Sequence, residues 1–204
     1  MKIRCPYCGS RNTARILYGL PAFSEELNRE MENGKVVPGG CDISGNKPEY
    51  QCKDCSKKFG KAPVFSVRGR KYTPDDLAGI EFEDGGFFGG YHTVSILRNE
   101  SSYELSVQHS YGAYDPYVRG FQKREWDSLK KTLFNRLFVH EWKRSYINRD
   151  VLDGEQWSLE LTFSDGRHRR IYGSNAYPAL WDSLQRRFGR YIREARGDRE
   201  EPGE

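Results

Sequence analysis

Apolar and polar residues alternate strictly in the segment 157–163, which reads WSLELTF. Its four large apolar side chains fall on one side of an extended chain, because successive side chains of a strand point to opposite faces. The segment therefore predicts a β-strand with one buried face, and with Ser158, Glu160 and Thr162 facing water.

Two other segments repeat apolar residues at spacings near three to five, as one face of an α-helix does. Lysines and arginines fall between the apolar positions, so both segments predict amphipathic helices that pack on a core. The apolar positions are Trp126, Leu129, Leu133, Leu137 and Trp142 in the first segment, and Trp181, Leu184, Phe188, Tyr191 and Ile192 in the second.

Each helical segment follows a pair of strand-like segments and a Tyr-Gly dipeptide, and each contains the string WDSL. We interpret this as a duplicated ββα unit that builds one antiparallel sheet covered on one face by two helices, an α+β architecture. A single shared tetrapeptide can also arise by chance. The strand-like pairs are 93–97 with 103–107, and 157–163 with 169–171.

The hairpin of the second unit turns at Asp165-Gly166. A two-residue turn would set Ile171 opposite Glu160, whereas a three-residue loop that includes Arg167 sets it opposite Leu161 on the apolar face. We expect the three-residue loop.

The chemistry of the N-terminal region is carried by two C-x-x-C pairs, Cys5/Cys8 and Cys52/Cys55. No apolar run approaches the roughly 18 to 20 residues that cross a bilayer, so we expect a cytoplasmic protein with reduced thiols. Four thiolates complete a tetrahedral site and leave no position for water, which predicts one structural Zn2+ per chain in a zinc ribbon. The alternatives are that the pairs do not meet, or that they are redox sites, for which the βαβ context is missing.

Cys41 is the odd cysteine of the chain. It could replace a ligand or be a reactive thiol, but a free cysteine is more often a small buried hydrophobe, and we expect it to be buried.

Several motifs of this chain resemble a group of bacterial zinc-ribbon proteins of unknown function. The motifs cover most of the chain, and the resemblance implies a zinc ribbon but no particular activity or catalytic residue. They are CPYCGS, YGLPAF, GGC, YQCKDC, DGEQW and GSNAYP.

The composition changes near residue 60, which predicts two folded parts. We assign residues 1–60 to the zinc ribbon, 61–90 to a linker with short strands at 64–67 and 80–82, and 91–196 to an α+β domain. The acidic residues 197–204 include no apolar anchor and predict a disordered tail.

Tyrosines and small polar residues crowd the two loops that lead from strand to helix. If both loops leave the same end of the sheet, they could form a shared ligand site. The alternative is helix capping by Ser174 or Asn175, with the tyrosines packed over the sheet. The candidate ligand-binding residues are Tyr111, Tyr114, Asp115, Tyr172, Asn175 and Tyr177.

Other catalytic signatures are missing from the sequence. Asp153 and Glu155 are explained by a turn before a strand, and the histidines show no metalloprotease spacing. No nucleophile elbow or phosphate-binding loop occurs, so we expect no hydrolase or kinase.

The formal net charge is +4, with sixteen Lys and Arg against ten Asp and Glu in residues 121–196. Such residues usually form a solvated face, but they can also contact phosphates of nucleic acid. The candidates for such contact are Lys130, Arg169, Arg170, Arg186 and Arg187.

Together these features favour a zinc-binding, non-enzymatic binding or adaptor protein whose partner is nucleic acid or another protein. The alternative function is an enzyme or small-molecule-binding protein with its site in the tyrosine-rich loops.

Overall fold

The computed structural model describes residues 3–22, 24–86, 88–100, 102–111, 115–151 and 154–197. Their N-terminal part is a small sheet of four strands in the order β2-β1-β3-β4, with one short helix. Its elements are β1 (Thr13–Leu17), α1 (Glu25–Glu32), β2 (Val36–Pro38), β3 (Tyr50–Cys52) and β4 (Lys58–Phe59).

The short helix α1 begins where the sequence provides a cap. Ser24 Oγ accepts a hydrogen bond from Leu27 N at 3.1 Å, which satisfies one of the amide groups left unpaired at a helix start. The helix then carries the chain across to β2, which pairs with β1 in parallel, whereas β3 pairs with β1 antiparallel.

The remaining elements form a hairpin, a large sheet and two long helices. They are β5 (Phe65–Val67), β6 (Arg70–Tyr72), β7 (Leu77–Gly86), β8 (Gly90–Arg98), β9 (Tyr103–His109), β10 (Tyr117–Phe121), α2 (Lys123–Asn135), β11 (Ser145–Ile147), β12 (Glu155–Phe163), β13 (His168–Ser174) and α3 (Trp181–Ala195).

Within the described residues the large sheet has seven strands in the order β10-β9-β8-β7-β12-β13-β11. All neighbours are antiparallel except β11 and β13. Both long helices cover the same face, since α3 places Phe188 4.5 Å from Phe82 of β7 and α2 places Trp126 5.4 Å from Tyr103 of β9, measured between ring centres. The predicted α+β class, with two amphipathic helices on an antiparallel sheet, is confirmed.

Strand β7 is the largest departure from the predicted layout. The sequence predicts a linker over residues 61–90 with a short strand at 80–82, yet that strand is part of β7, which is the central strand and pairs with β8 on one side and β12 on the other. Its glycines read as a linker signal, but they allow backbones to approach, because a Cβ on Gly85 would lie 2.1 Å from the carbonyl oxygen of Gly90.

The alternation in β12 predicts its buried face correctly, from Trp157 to Phe163. Ser158 is an exception to the predicted polar face, since it is only 5% exposed. The predicted register is also wrong: the loop has three residues, but it begins at Ser164, so Ile171 lies opposite Leu159 rather than Leu161. The apolar face is kept, because the shift is by two positions.

Helix α2 is shorter than its apolar pattern suggests. It ends at Asn135, and Phe138 then turns the chain with a positive φ of 52°. Leu137 and Trp142 therefore follow the helix instead of lying on it, although both are buried, and Trp142 Nε1 donates to the carbonyl of Leu137 at 2.9 Å.

The duplicated plan is imperfect in the structure. Both copies contain a strand pair followed by a helix, but β10 is inserted before α2 and has no counterpart before α3. The predicted tail begins at Gly197, and residues 198–204 lie outside the described part of the chain. Among the described helices, none has the length and apolar character needed to span a membrane.

Candidate metal centre and the other predicted sites

The two C-x-x-C pairs lie in turns that repeat one backbone pattern. The amide of the first cysteine of each pair, Cys5 and Cys52, donates to the carbonyl five residues further on, at 2.8 and 2.9 Å. The residue after each second cysteine is left-handed, with φ of 76° at Gly9 and 60° at Ser56. The two turns therefore present their sulfur atoms in the same way.

The turns face each other and bring all four sulfur atoms together. Cys5 Sγ lies 3.6 Å from Cys55 Sγ, and Cys8 Sγ lies 3.6 Å from Cys52 Sγ. All four sulfur atoms lie within 4.8 Å of one another, an arrangement able to hold a metal ion. The two pairs therefore meet as predicted, and the alternative that they lie apart is wrong. Each separation is far longer than a disulfide bond of about 2.05 Å.

The surroundings of Cys5 and Cys52 shift the pKa values of their thiols in opposite directions. Burial raises the pKa of Cys5 to about 12. Burial acts in the same direction at Cys52, but hydrogen bonds from the backbone of Cys55 and Asp54 outweigh it and lower the pKa to about 7. Backbone N–H groups aimed at sulfur stabilise the thiolate, which is the form that binds metal.

Asp54 ties the second turn to the first. Its carboxylate accepts hydrogen bonds from Ser10 Oγ at 2.5 Å and from Asn12 Nδ2 at 2.6 Å. These bonds lower the pKa of Asp54, so the carboxylate is charged near neutral pH. Sequence reasoning missed this contact, because Asp54 reads only as a variable position inside C-x-x-C.

Cys41 lies apart from this group and is exposed, which contradicts the expectation that it is buried. It follows Gly39 and Gly40 in a surface turn, and Gly40 has a φ of 90°. The chain leaves the small sheet at Pro38, so Cys41 lies outside that sheet.

The ribbon core is completed by an aromatic side chain from the far part of the chain. Phe138 is 3% exposed and lies in a cluster with Cys5, Cys52 and Phe59. Its ring meets Phe59 edge-on at 5.2 Å and Tyr50 at 6.3 Å. Phe59 thus covers this core from within the small sheet, and Phe138 closes it from the segment after α2.

Glu141 adds a polar contact at the same junction. Its carboxylate accepts hydrogen bonds from Gly60 N at 2.6 Å, Lys61 N at 3.2 Å and Tyr7 Oη at 2.9 Å. Burial, helped by Glu141, raises the pKa of Tyr7, so the phenol is protonated and donates. The Cys5–Cys8 turn and the segment that follows α2 are therefore joined by both packing and hydrogen bonds.

Compared with protein-family models, with curated proteins and with solved structures, the chain has no significant match. The resemblance to bacterial zinc-ribbon proteins stays a prediction, and the site is interpreted from its own geometry.

The tyrosine-rich loops leave the same end of the large sheet, as expected, but strands β8, β7 and β12 lie between them. Tyr111 and Asp115 line one cleft beside β8 and β9, and Tyr114 lies outside the described residues. On the other side, Tyr177 Oη donates to Glu155 at 2.7 Å.

Asn175 lies in a turn and Tyr172 lies on a strand. Asn175 Oδ1 accepts from Glu155 N at 2.9 Å, in a left-handed turn with a φ of 50°. It does not cap α3, whose first residue follows Leu180. Tyr172 lies on β13, exposed on the sheet face opposite the helices. The five candidates that the structure describes therefore do not share one cleft.

A cluster that sequence reasoning missed lies beside Tyr111. His92 and His109 are cross-strand neighbours with ring centres 4.4 Å apart, and Asp84 is the next neighbour of His92. Burial, with repulsion from His109 and Arg196, lowers the pKa of His92, and burial raises the pKa of Asp84. Only strand register brings these residues together, so no spacing in the sequence could reveal them. Asp153, part of the carboxylate pair considered in the sequence, lies outside the described residues.

The basic candidates are dispersed over the molecule. Lys130 pairs with Asp75 at 3.0 Å, and Arg169 is largely buried with its guanidinium 5.5 Å from the ring centre of Phe65. Arg170 is exposed on the opposite face of the sheet from Arg169, because the two are consecutive in β13. Arg186 and Arg187 are on α3. The five do not form one continuous surface.

Proposed function

We propose that the four cysteines hold one Zn2+ ion whose role is structural. Zinc bound by four thiolates at about 2.3 Å in a tetrahedron holds its sulfur atoms about 3.8 Å apart. The separations of 3.6 Å in both facing pairs are close to this value. All four positions are occupied by sulfur, so no position is left for water or substrate.

The ion would stabilise more than the ribbon. When bound, it supplies four metal–sulfur bonds that fix both turns, and these turns carry Tyr7, which reaches Glu141. The ribbon sheet is small and has few buried apolar residues, so folding of such a unit depends on the metal. Metal binding is thereby linked to the packing of Phe138.

We further propose that the protein is a binding protein rather than an enzyme, and that its partner is negatively charged. The observation that carries this role is a cleft beside α3 lined by five arginines and two glutamates. Nucleic acid or an acidic protein surface would supply the matching charge.

A second function is favoured by one observation. His92, His109, Tyr111 and Asp115 line a common cleft of about 570 Å3, which is within the usual size of small-molecule sites. A catalytic or ligand site there predicts a small molecule retained by the purified protein, lost in a His92→Ala/His109→Ala variant and detected by native mass spectrometry.

The structural zinc is tested by metal analysis with matched cysteine variants. We expect one zinc per chain in the wild type and in Cys41→Ser, whose cysteine is exposed and outside the group. Cys52→Ser should lose the metal, because the remaining three thiols cannot complete the site.

Hydrogen exchange locates the effect of that loss. In Cys52→Ser, amides of β1 and β3 should lose protection, while those of β7 and β12 should keep it, since the large sheet has a separate core. A metal-free wild type with full protection in β1 and β3 would refute the structural role.

A further inference from the structure

A cleft of about 730 Å3 lies between the start of α2, strand β10 and the last two turns of α3. Arg187 is the one lining residue that is also among the five basic residues considered for nucleic-acid contact. Its size falls in the range of sites that hold small-molecule ligands, about 300–1,000 Å3. It contains no cysteine and is separate from the metal centre.

The charge of the cleft is positive even after its internal ion pairs are counted. Arg119 bridges the two glutamates of the lining, at 3.0 Å to Glu125 and 2.5 Å to Glu194. The bridge holds both carboxylates in place and offsets part of their charge. Five arginines against two glutamates leave a formal excess of three positive charges.

Arg124, Arg187 and Arg190 are the lining arginines that form no ion pair with the described residues. Their nearest acidic neighbours in the cleft are the two carboxylates already bonded to Arg119. Unpaired guanidinium groups gathered in a concave site favour a ligand that carries negative charge.

Two hydrogen-bond donors in the cleft are buried without a partner. Tyr191 is 5% exposed, and its hydroxyl has no hydrogen bond. Arg187 Nε is likewise buried and unpartnered, and its guanidinium lies 5.6 Å from the centre of the Tyr191 ring. Buried donors are almost always satisfied in folded proteins, so this pair favours a bound acceptor in the cleft.

We propose that this cleft binds a small organic phosphate of about nucleotide size, with phosphate oxygens accepting from Arg187 and the Tyr191 hydroxyl. Phosphate suits the site because it offers several charged acceptor oxygens and pairs with guanidinium groups in two-point contacts. This inference gives the negatively charged partner of the proposed binding role a chemical class, and it therefore rests on that role but not on the zinc.

A nucleic-acid strand fits these observations less well. An extended strand requires a positive groove that follows its backbone. Beyond the cleft, Lys130 is paired with Asp75, Arg169 is largely buried, and Arg170 lies on the other face of the sheet. These three residues therefore do not extend the cleft into a groove.

The experiment is titration calorimetry on the metal-loaded full chain with ADP, inorganic pyrophosphate, adenosine and a twelve-nucleotide oligothymidine as probes. We expect ADP and pyrophosphate to bind and adenosine not to bind. Arg187→Gln and Tyr191→Phe should each weaken ADP binding by at least about tenfold, the effect of losing one hydrogen bond to a charged group.

Two controls separate binding from folding. Arg186→Gln removes the same charge from an exposed residue of α3 that does not line the cleft. It should leave ADP affinity within about twofold, because an exposed charge outside the cleft makes no contact there and is screened by salt. Tyr191→Phe should melt at the same temperature as the wild type or higher, because it removes a buried donor that has no partner.

The outcomes are decisive in each direction. Failure of both ADP and pyrophosphate to bind, or equal weakening by Arg186→Gln and Arg187→Gln, would overturn the proposal. Oligothymidine that binds more tightly than ADP and depends on Arg187 would also overturn it, and would assign the cleft to nucleic acid. In that last case the negatively charged partner of the proposed function would survive. Failure of every probe would overturn the phosphate ligand and leave an acidic protein surface as the partner of the proposed function.

Discussion

The side chain of Phe138 stabilises the folded protein, whereas its backbone conformation destabilises it, and substitutions can separate the two effects. Its ring fills the ribbon core beside Phe59, but its backbone has a φ of 52° and a ψ of 45°, a conformation that costs a non-glycine residue about 1–2 kcal/mol. Phe138→Ala should lower the free energy of unfolding by about 3–5 kcal/mol, because it removes a buried aromatic ring. Phe138→Gly loses the same ring but also relieves the backbone.

The order of the two variants is the prediction. Glycine loses more conformational freedom on folding than alanine, so part of the relief is offset, and we expect Phe138→Gly to be more stable than Phe138→Ala by about 0.5–1 kcal/mol. Urea unfolding of the metal-loaded proteins, followed by tryptophan fluorescence, measures both values.

Phe134 provides the matched control. It is equally buried, but it lies within helix α2, where alanine is preferred over glycine. Phe134→Gly should therefore be less stable than Phe134→Ala by about 0.5–1 kcal/mol, the reverse of the order at Phe138. If alanine is the more stable replacement at both positions, the argument from backbone strain at Phe138 is refuted.

Two further predictions concern the large sheet and the junction. Gly173→Ala should destabilise the protein by about 2–4 kcal/mol in urea unfolding. The added Cβ would lie 2.2 Å from Trp157 Nε1, which donates a hydrogen bond to the carbonyl of Ala176. An unchanged urea midpoint would contradict this prediction. Burial lowers the pKa of His140, so below about pH 6.5 the unfolded chain binds a proton that the folded chain excludes, and stability should fall as the pH drops. The loss of folding stability between pH 7 and 5.5 should be smaller in His140→Asn than in the wild type. Equal losses in the two proteins would show that His140 is not the group responsible.

The sequence predicts those features whose signals are local. Paired cysteines at C-x-x-C spacing, alternation along β12 and the apolar face of α3 each follow from short-range periodicity, and each is found in the structure. The end of helix α2 at Asn135 has no such local signal. Buried apolar residues continue at helix-like spacing through Trp142 although the helix has ended, and no feature of the sequence indicates the positive φ of Phe138.

Features fixed by distant partners could not be predicted. Glu141 meets Tyr7 across 134 positions, and His92 meets His109 and Asp84 only through strand register. The glycines of β7 give a misleading signal for a related reason, since a glycine needed for close backbone approach looks the same in sequence as one in a linker.

The central position of β7 has a consequence for synthesis on the ribosome. One of its neighbours, β8, follows at once, but the other, β12, begins 69 positions after Gly86, at Glu155. A nascent chain of that intermediate length carries a ten-residue strand with one row of amide and carbonyl groups still unpaired. Such an edge can recruit strands from other chains, so the incomplete polypeptide is more prone to aggregation than the finished protein.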